Sequence, residues 1–187
     1  YRAFDGRLGR EIALKVIRRV ATDDDSALDR LLREATLASA LNHPHIITVY
    51  EVIRTKDDVA IAMELVEGRS LRKFCGGAVE ITQVIHWGRQ IAQALAAAHQ
   101  RSIIHRDVKP ENLMVRDDGI VKVLDFGLAD QSGREDQKGS ADVSGLGGTI
   151  NYMSPEQTRG ERASSSSDVF SLGLVLYELA TGVHPFR

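Results

Sequence analysis

The residues best equipped for chemistry fall in one short run, His105-Arg106-Asp107-Val108-Lys109-Pro110-Glu111-Asn112, and in Asp125-Phe126-Gly127, thirteen residues beyond Asn112. Asp107 and Asp125 are carboxylates that can accept a proton or hold a hard cation, and Asn112 adds a neutral amide oxygen. Lys109 in the same run and Lys15 far upstream bring positive charge. Taken singly each has a plain alternative, because an isolated Asp or Lys on a loop is usually a solvated charge.

These side chains need a scaffold, and 187 residues suffice for one domain with a sizeable core or for two small lobes. The net charge of −2 gives no global field toward nucleic acid or anionic membrane, so any bound anion must be held locally. A 43% hydrophobic and 27% charged composition is that of a folding chain rather than a disordered one. The single cysteine, Cys75, cannot form an internal disulfide, which favours a reducing compartment and the cytoplasm. The longest apolar stretch, Leu172 to Val183, is 12 residues with Glu178 inside it, too short to span a bilayer.

Alternation over Glu11 to Ile17, behind the turn residues Asp5 to Gly9, predicts a strand in an opening hairpin. Asp23 to Ser26 offer a helix start; Leu28, Leu31, Leu32, Ala35 and Ala38 follow at helical spacing, and Asn42 and Pro44 end it. Strands are expected over Ile46–Ile53 and Val59–Leu65, a helix over Ile81–His99, and a long polar loop from Asp130 to Gly148. Ser167-Asp168 can cap a last helix that is apolar nearly all round and therefore expected to be buried. Strands first and helices later make an α+β arrangement: a β-rich part over 1–63, a joint at 64–68 and a helical part over 69–187.

The run from His105 to Asn112 with Asp125-Phe126-Gly127 resembles the catalytic loop and metal-binding triplet of protein kinases. Ile12-Ala13-Leu14-Lys15 is similar to the family's strand lysine motif, with Leu14 where Ile is commoner. Ser154-Pro155-Glu156 is similar to the end of its activation segment, with Ser for the usual Ala. The resemblance covers nearly the whole chain, and it implies a two-lobed fold and transfer of the ATP γ-phosphoryl group to protein Ser or Thr hydroxyls. That reaction rests on positioning and charge neutralisation.

By the same resemblance Lys15 contacts the α- and β-phosphates and Glu34 steadies it; Asp125 and Asn112 hold Mg²⁺; Asp107 is the base; and Lys109 steadies the transferred group. Met63 matches the gatekeeper, with the backbone of Glu64 and Val66 facing the purine edge and Ala13 and Met114 on its faces. For Ala13, Met63 and Met114 simple core packing is an equal alternative. Thr149 resembles the threonine that orders the substrate loop. Arg106 resembles the arginine that pairs with a phosphorylated loop, making Ser132, Ser140 and Ser144 candidate phosphosites. Asp168 matches an aspartate that supports the catalytic loop. His43 and His45 match the linker after the first helix rather than a metal pair, and Trp87 is expected to pack.

Tyr1 resembles the residue just past the family's glycine-rich loop, and Arg187 falls before several of its later helices, so an incomplete catalytic domain with apolar surface on its last helix is expected. Tyr1-Arg2-Ala3-Phe4-Asp5 and Met153 to Gln157 resemble bacterial serine/threonine kinases, many of which continue into a membrane span and a sensor domain; a dimer for trans-autophosphorylation is a further partner expectation. The alternatives are a nucleotide-binding pseudokinase or scaffold and an inactive partial product. Lys15, Asp107 and Asp125, the positions pseudokinases tend to lose, are all present.

Overall fold

The structure is a computed structural model that describes residues 1–18, 39–54, 58–126 and 150–186. The expected first helix with Glu34, the polar loop with Ser132, Ser140 and Ser144, and the positions Gly127 and Thr149 lie outside the described residues.

Four antiparallel strands form the N-terminal sheet: β1 (Arg2–Asp5), β2 (Arg10–Arg18), β3 (Val49–Arg54) and β4 (Asp58–Glu64), in the order β1-β2-β4-β3. The opening hairpin forms as expected, its turn fastened by Asp5 Oδ1, which accepts from the N–H groups of Arg7 and Leu8. Register places Ala13 opposite Met63 and Lys15 opposite Ile61. Val59, Ile61, Ala62 and Met63 are buried, so β4 is the sheet's most enclosed strand.

One expected strand is shorter than its apolar run suggests. β3 begins at Val49, whereas Ile46 makes a parallel bridge to Val123, with Ile47 N–H donating to Val123 O at 3.0 Å and Val123 N–H to His45 O at 2.8 Å. The segment's backbone groups are thus spent on tying the sheet to the chain that leads into Asp125.

The C-terminal part is mainly helical but carries a small antiparallel sheet: β5 (Gly68–Ser70), β6 (Leu113–Arg116) and β7 (Val121–Val123). Gly68 is required there, because a Cβ would lie 2.2 Å from Val115 O on the neighbouring strand. Helix α1 spans Ile81–His99, as its periodicity predicts, and buries Val84, Trp87, Gly88, Ile91, Ala94, Leu95 and Ala98 on one face. Trp87 packs edge-on against Phe74 with centroids 5.0 Å apart. A one-turn helix, α2 (Pro155–Thr158), precedes the last helix, α3 (Ser165–Thr181).

α3 starts earlier than expected. Ser164 is the cap and Ser167 Oγ accepts its N–H at 2.9 Å, which moves Asp168 into the first turn with only 1% exposure. α3 buries Leu172, Leu174, Val175 and Leu179 and, in line with the apolar surface expected on the last helix, exposes Val169 and Tyr177. The core of this part joins α1, α3 and the β5-β6-β7 sheet through Leu71, Ile91, Leu113, Val121, Val123, Val175 and Leu179. No helix among the described residues is long and apolar enough to cross a membrane.

Candidate active site

The run His105 to Asn112 leaves α1 through a tight turn and ends in a 3-10 turn, Pro110–Asn112, before β6. Because β6 and β7 are paired, the end of this run and Asp125, which follows β7, are brought side by side; Leu124 N–H donates to Asn112 O at 2.8 Å. β2 supplies Lys15 from the other side. Its Nζ lies 2.8 Å from Asp125 Oδ2, both groups partly open to solvent. The distant lysine and the carboxylate thus converge on one spot. Glu34, the partner expected for Lys15, is outside the described residues, and among the described residues Asp125 is the carboxylate that Lys15 meets.

Asp107 is held from several directions. Asn112 Nδ2 donates to its backbone carbonyl at 2.8 Å and to Oδ2 at 2.9 Å, while Lys109 Nζ lies 2.7 Å from Oδ2. Asp107 N–H donates to His105 Nδ1 at 3.2 Å. His105 is fully buried; its Nε2 donates to Leu124 O at 2.8 Å and its ring packs on Phe126, with centroids 4.7 Å apart. Burial pushes its pKa below the ordinary value of 6.5, against the opposing pull of Asp168, so the imidazole is a neutral Nε2–H tautomer. A neutral ring is what these two bonds need, one nitrogen donating and the other accepting.

Arg106 and Asp125 adopt left-handed backbone, with φ of 70° and 55°, a conformation unfavourable for residues with a Cβ by about 1–3 kcal/mol each. Arg106 is kept there by Asp168, whose Oδ1 accepts its N–H at 2.8 Å while Oδ2 accepts that of His105 at 2.9 Å. Gln157 of α2 adds a bond to Arg106 O at 2.7 Å, so the Ser154-Pro155-Glu156 segment packs onto the loop. Ser154 is buried and forms a capping box with Gln157, and Pro155 opens the helix. Glu156 accepts from Ser167 Oγ at 2.5 Å, a bond that lowers its pKa below the ordinary carboxylate value.

At the end of β4, Met63 is buried and forms one apolar cluster with Ile47 and Ile61, against which Ala13, Val66 and Leu124 pack. Met114 stands on the other face of β6 from buried Leu113 and Val115. Glu64 N–H donates to Thr48 O at 2.9 Å and its carboxylate is held by Lys122 Nζ, also at 2.9 Å. A cavity of about 430 Å³ opens beside this segment, lined by Glu11, Glu64, Leu65, Val66, Glu67 and Arg116.

Sequence reasoning passed over a partly buried polar network next to the loop. Arg72 donates to Glu111 Oε1 at 2.7 Å, to Glu178 Oε1 at 3.0 Å and to the Tyr152 hydroxyl at 2.6 Å, and Tyr152 donates to Glu178 Oε2. Burial alone lowers the guanidinium pKa, but the bonds to Glu111 and Tyr152 prevail and raise it. The signal was present in Glu178, a charge within the apolar run of α3.

A strand lysine, a strained loop that holds an aspartate, and the side chains of Asn112 and Asp125 thus meet between the N-terminal sheet and the mainly helical part. A family model for the protein kinase domain matches residues 1–187, and the chain belongs to that family. It is 38% identical over its whole length to a probable serine/threonine-protein kinase of Clostridium acetobutylicum and 39% identical to the serine/threonine-protein kinase PrkC of Bacillus subtilis. It is 42% identical over 98% of its length to the serine/threonine-protein kinase PknB of Mycobacterium leprae. The chain spans 28% of the length of the first two relatives and 30% of the third.

Proposed function

We propose that this chain is catalytic sequence of a serine/threonine protein kinase that moves the γ-phosphoryl group of ATP to protein hydroxyls. The observation that carries the reading is the convergence of Lys15 with Asp125, 2.8 Å apart, beside an Asp107 that Asn112 and Lys109 both hold. In that reading Asp107 accepts the hydroxyl proton, and Lys109 shifts from it to the transferred group as negative charge builds there. Lys15 binds the α- and β-phosphates. The strand ends at Met63 to Val66 receive the purine, with Ala13 and Met114 on its faces, and Glu64 to Gly68 form the joint between the two lobes.

The donor set fits Mg²⁺. Asn112 spends its amide nitrogen on Asp107, leaving the oxygen for a cation, and Asp125 offers a hard carboxylate of which Lys15 engages one oxygen. Bound there, Mg²⁺ would neutralise the phosphates. Two side-chain donors are few for a free-standing site, and phosphate oxygens are the natural complement. Protein substrates are supported by the Ser154-Pro155-Glu156 segment, which Gln157 bonds to the carbonyl of Arg106, the residue before Asp107.

The test is Mg·ATP-dependent phosphate incorporation by the full-length protein, read by intact mass and peptide mapping beside Asp107→Asn. Incorporation on Ser or Thr that disappears in the variant supports the reading. A folded protein that binds nucleotide and transfers nothing to itself or to a generic substrate would instead be a nucleotide-binding scaffold.

A further inference from the structure

β7 leads into Asp125, yet its own pattern does not fix how it pairs. A strand takes its register from the alternation of buried and exposed side chains, or from its turn. All three residues of β7, Val121, Lys122 and Val123, are buried, so alternation is absent and the turn from β6 must decide. A slip of one residue would turn Asp125 away from Lys15.

A side chain of α1 grips that turn. Gln90, 4% exposed, donates from Nε2 to Gly119 O at 3.2 Å and accepts the Val121 N–H on Oε1 at 2.8 Å, bracketing Ile120 on both sides. Its second amide hydrogen goes to His86 Nε2 at 2.9 Å, which fixes the orientation of the amide. We propose that Gln90 is a positioning residue for Asp125, acting through the register of β7; the inference rests on the reading of Asp125 as the carboxylate that holds Mg²⁺.

The ladder shows why an outside group is needed. Arg116 N–H donates to Ile120 O at 2.9 Å, so by antiparallel alternation Val121 and Val123 turn their backbone groups away from β6. On that outer edge Val123 is met by His45 O and Ile47 N–H, and Val121 O by His45 Nδ1 at 3.1 Å. The Val121 N–H falls to Gln90. Val121 has no exposure, so without the amide its N–H is stranded, and shifting the turn is the chain's way to relieve it. Asp125 follows four residues on, in left-handed backbone that holds only while the strand before it is fixed, and its carboxylate then moves relative to Lys15 and Asn112. Gln90 spends its amide on the turn, so its loss should act on the Mg²⁺ requirement and on turnover through Asp125.

The experiment compares Gln90→Met, Gln90→Glu and Gln90→Asn in the full-length protein, by Mg²⁺ titration at saturating ATP with a generic Ser/Thr protein substrate. Met has the length of Gln and no hydrogen bond, Glu keeps an oxygen for the Val121 N–H, and Asn falls short. Expected for Met and Asn is a Mg²⁺ requirement raised about fivefold with kcat about tenfold lower, and for Glu recovery of both to within about threefold. A Met variant with the parental Mg²⁺ requirement, even one that melts earlier, would make Gln90 a packing residue and overturn the proposal. A loss shared equally by Glu would do the same.

Hydrogen exchange at Val123 and Leu124 reads the coupling without catalysis or metal. Their own acceptors, His45 O and Asn112 O, are untouched by the substitutions, so a change there reports the strand and not the deleted bond. Both amides should exchange about tenfold faster in Met and Asn and stay protected in Glu. Unchanged protection sinks the inference even if no phosphate is ever transferred, whereas an inactive parent with the expected exchange pattern sinks only the kinase reading. Should Met fail to fold, Glu against Asn decides both measurements.

Discussion

Asn112 grips Asp107 at two points with one amide nitrogen, the backbone carbonyl at 2.8 Å and the carboxylate Oδ2 at 2.9 Å. The residue read as a metal ligand is therefore also the one that orients the residue read as the base. Both functions cannot be separated by deleting Asn112, but they can by comparing it with Asp107. Asp107→Asn should reduce turnover by roughly 10²- to 10⁴-fold with the melting temperature unchanged. Asn112→Ala should reduce it similarly and also weaken the response to Mg²⁺, seen as a raised Mg²⁺ requirement in a titration. Equal Mg²⁺ curves for the two variants would remove Asn112 from the metal site.

Lys15 and Asp125 are partly exposed, 38% and 25% at their side chains, so their ion pair contributes less than about 1 kcal/mol to folding. Lys15→Met should then leave thermal unfolding nearly unchanged and lower phosphoryl transfer by about a hundredfold or more. A large fall in melting temperature would mean that the pair is structural, contrary to its exposure.

His105 has the opposite character, a buried neutral ring with a pKa held below 6.5 by desolvation. The unfolded chain binds a proton near 6.5 that the folded chain resists, so this group's contribution is intact above pH 6.5 and is lost as pH falls below it. His105→Phe, which keeps a ring against Phe126, should flatten the decline of melting temperature between pH 7 and pH 5. Parallel pH profiles for variant and parent would assign the acid sensitivity to other groups.

The elements that position this site were legible where they are long. The nineteen residues of α1 carry enough periodicity to fix both ends, and the β1-β2 hairpin is marked by Asp5 and Gly9. β5 and β7, of three residues each, are too short for a period, and they form because Gly68 lets β5 close onto Val115 and because β7 is buried throughout. Ile46 misled as a strand residue because an apolar side chain does not reveal whether its backbone joins a ladder or a single bridge. The chemical residues could be read from their order along the chain, and the support from Asp168 only from the family resemblance; the brace from Lys122 to Glu64 could not be read at all. Nothing local links Asp168 to Arg106 or Lys122 to Glu64; only the closed fold brings them within a hydrogen bond.

The network around Arg72 tests how much such support contributes. Arg72 is bonded to Glu111, one residue before Asn112, to Tyr152 ahead of Ser154, and to Glu178 on α3, so a single guanidinium joins three elements that surround the loop. Burial and then the bond with Glu178 raise the Tyr152 phenol above its ordinary pKa of 10.0, which keeps it a donor at neutral pH. Arg72→Met leaves Glu178, 5% exposed at its side chain, without its cation and, among the described residues, with the Tyr152 hydroxyl as its remaining side-chain donor. Arg72 is 32% exposed at its side chain, so the loss falls below that of a fully buried pair, at about 1–2 kcal/mol, equivalent to roughly 2–8 °C in a chain of this size. Replacing both ions by apolar groups of similar volume removes the orphaned charge, so Arg72→Met with Glu178→Met should recover most of that loss. The double variant should nonetheless stay impaired in turnover, because Glu111 and Tyr152 have lost the group that held them together. A single variant that melts like the parent would show that water, not Arg72, satisfies Glu178; a fully active double variant would show that the loop keeps its shape without this brace.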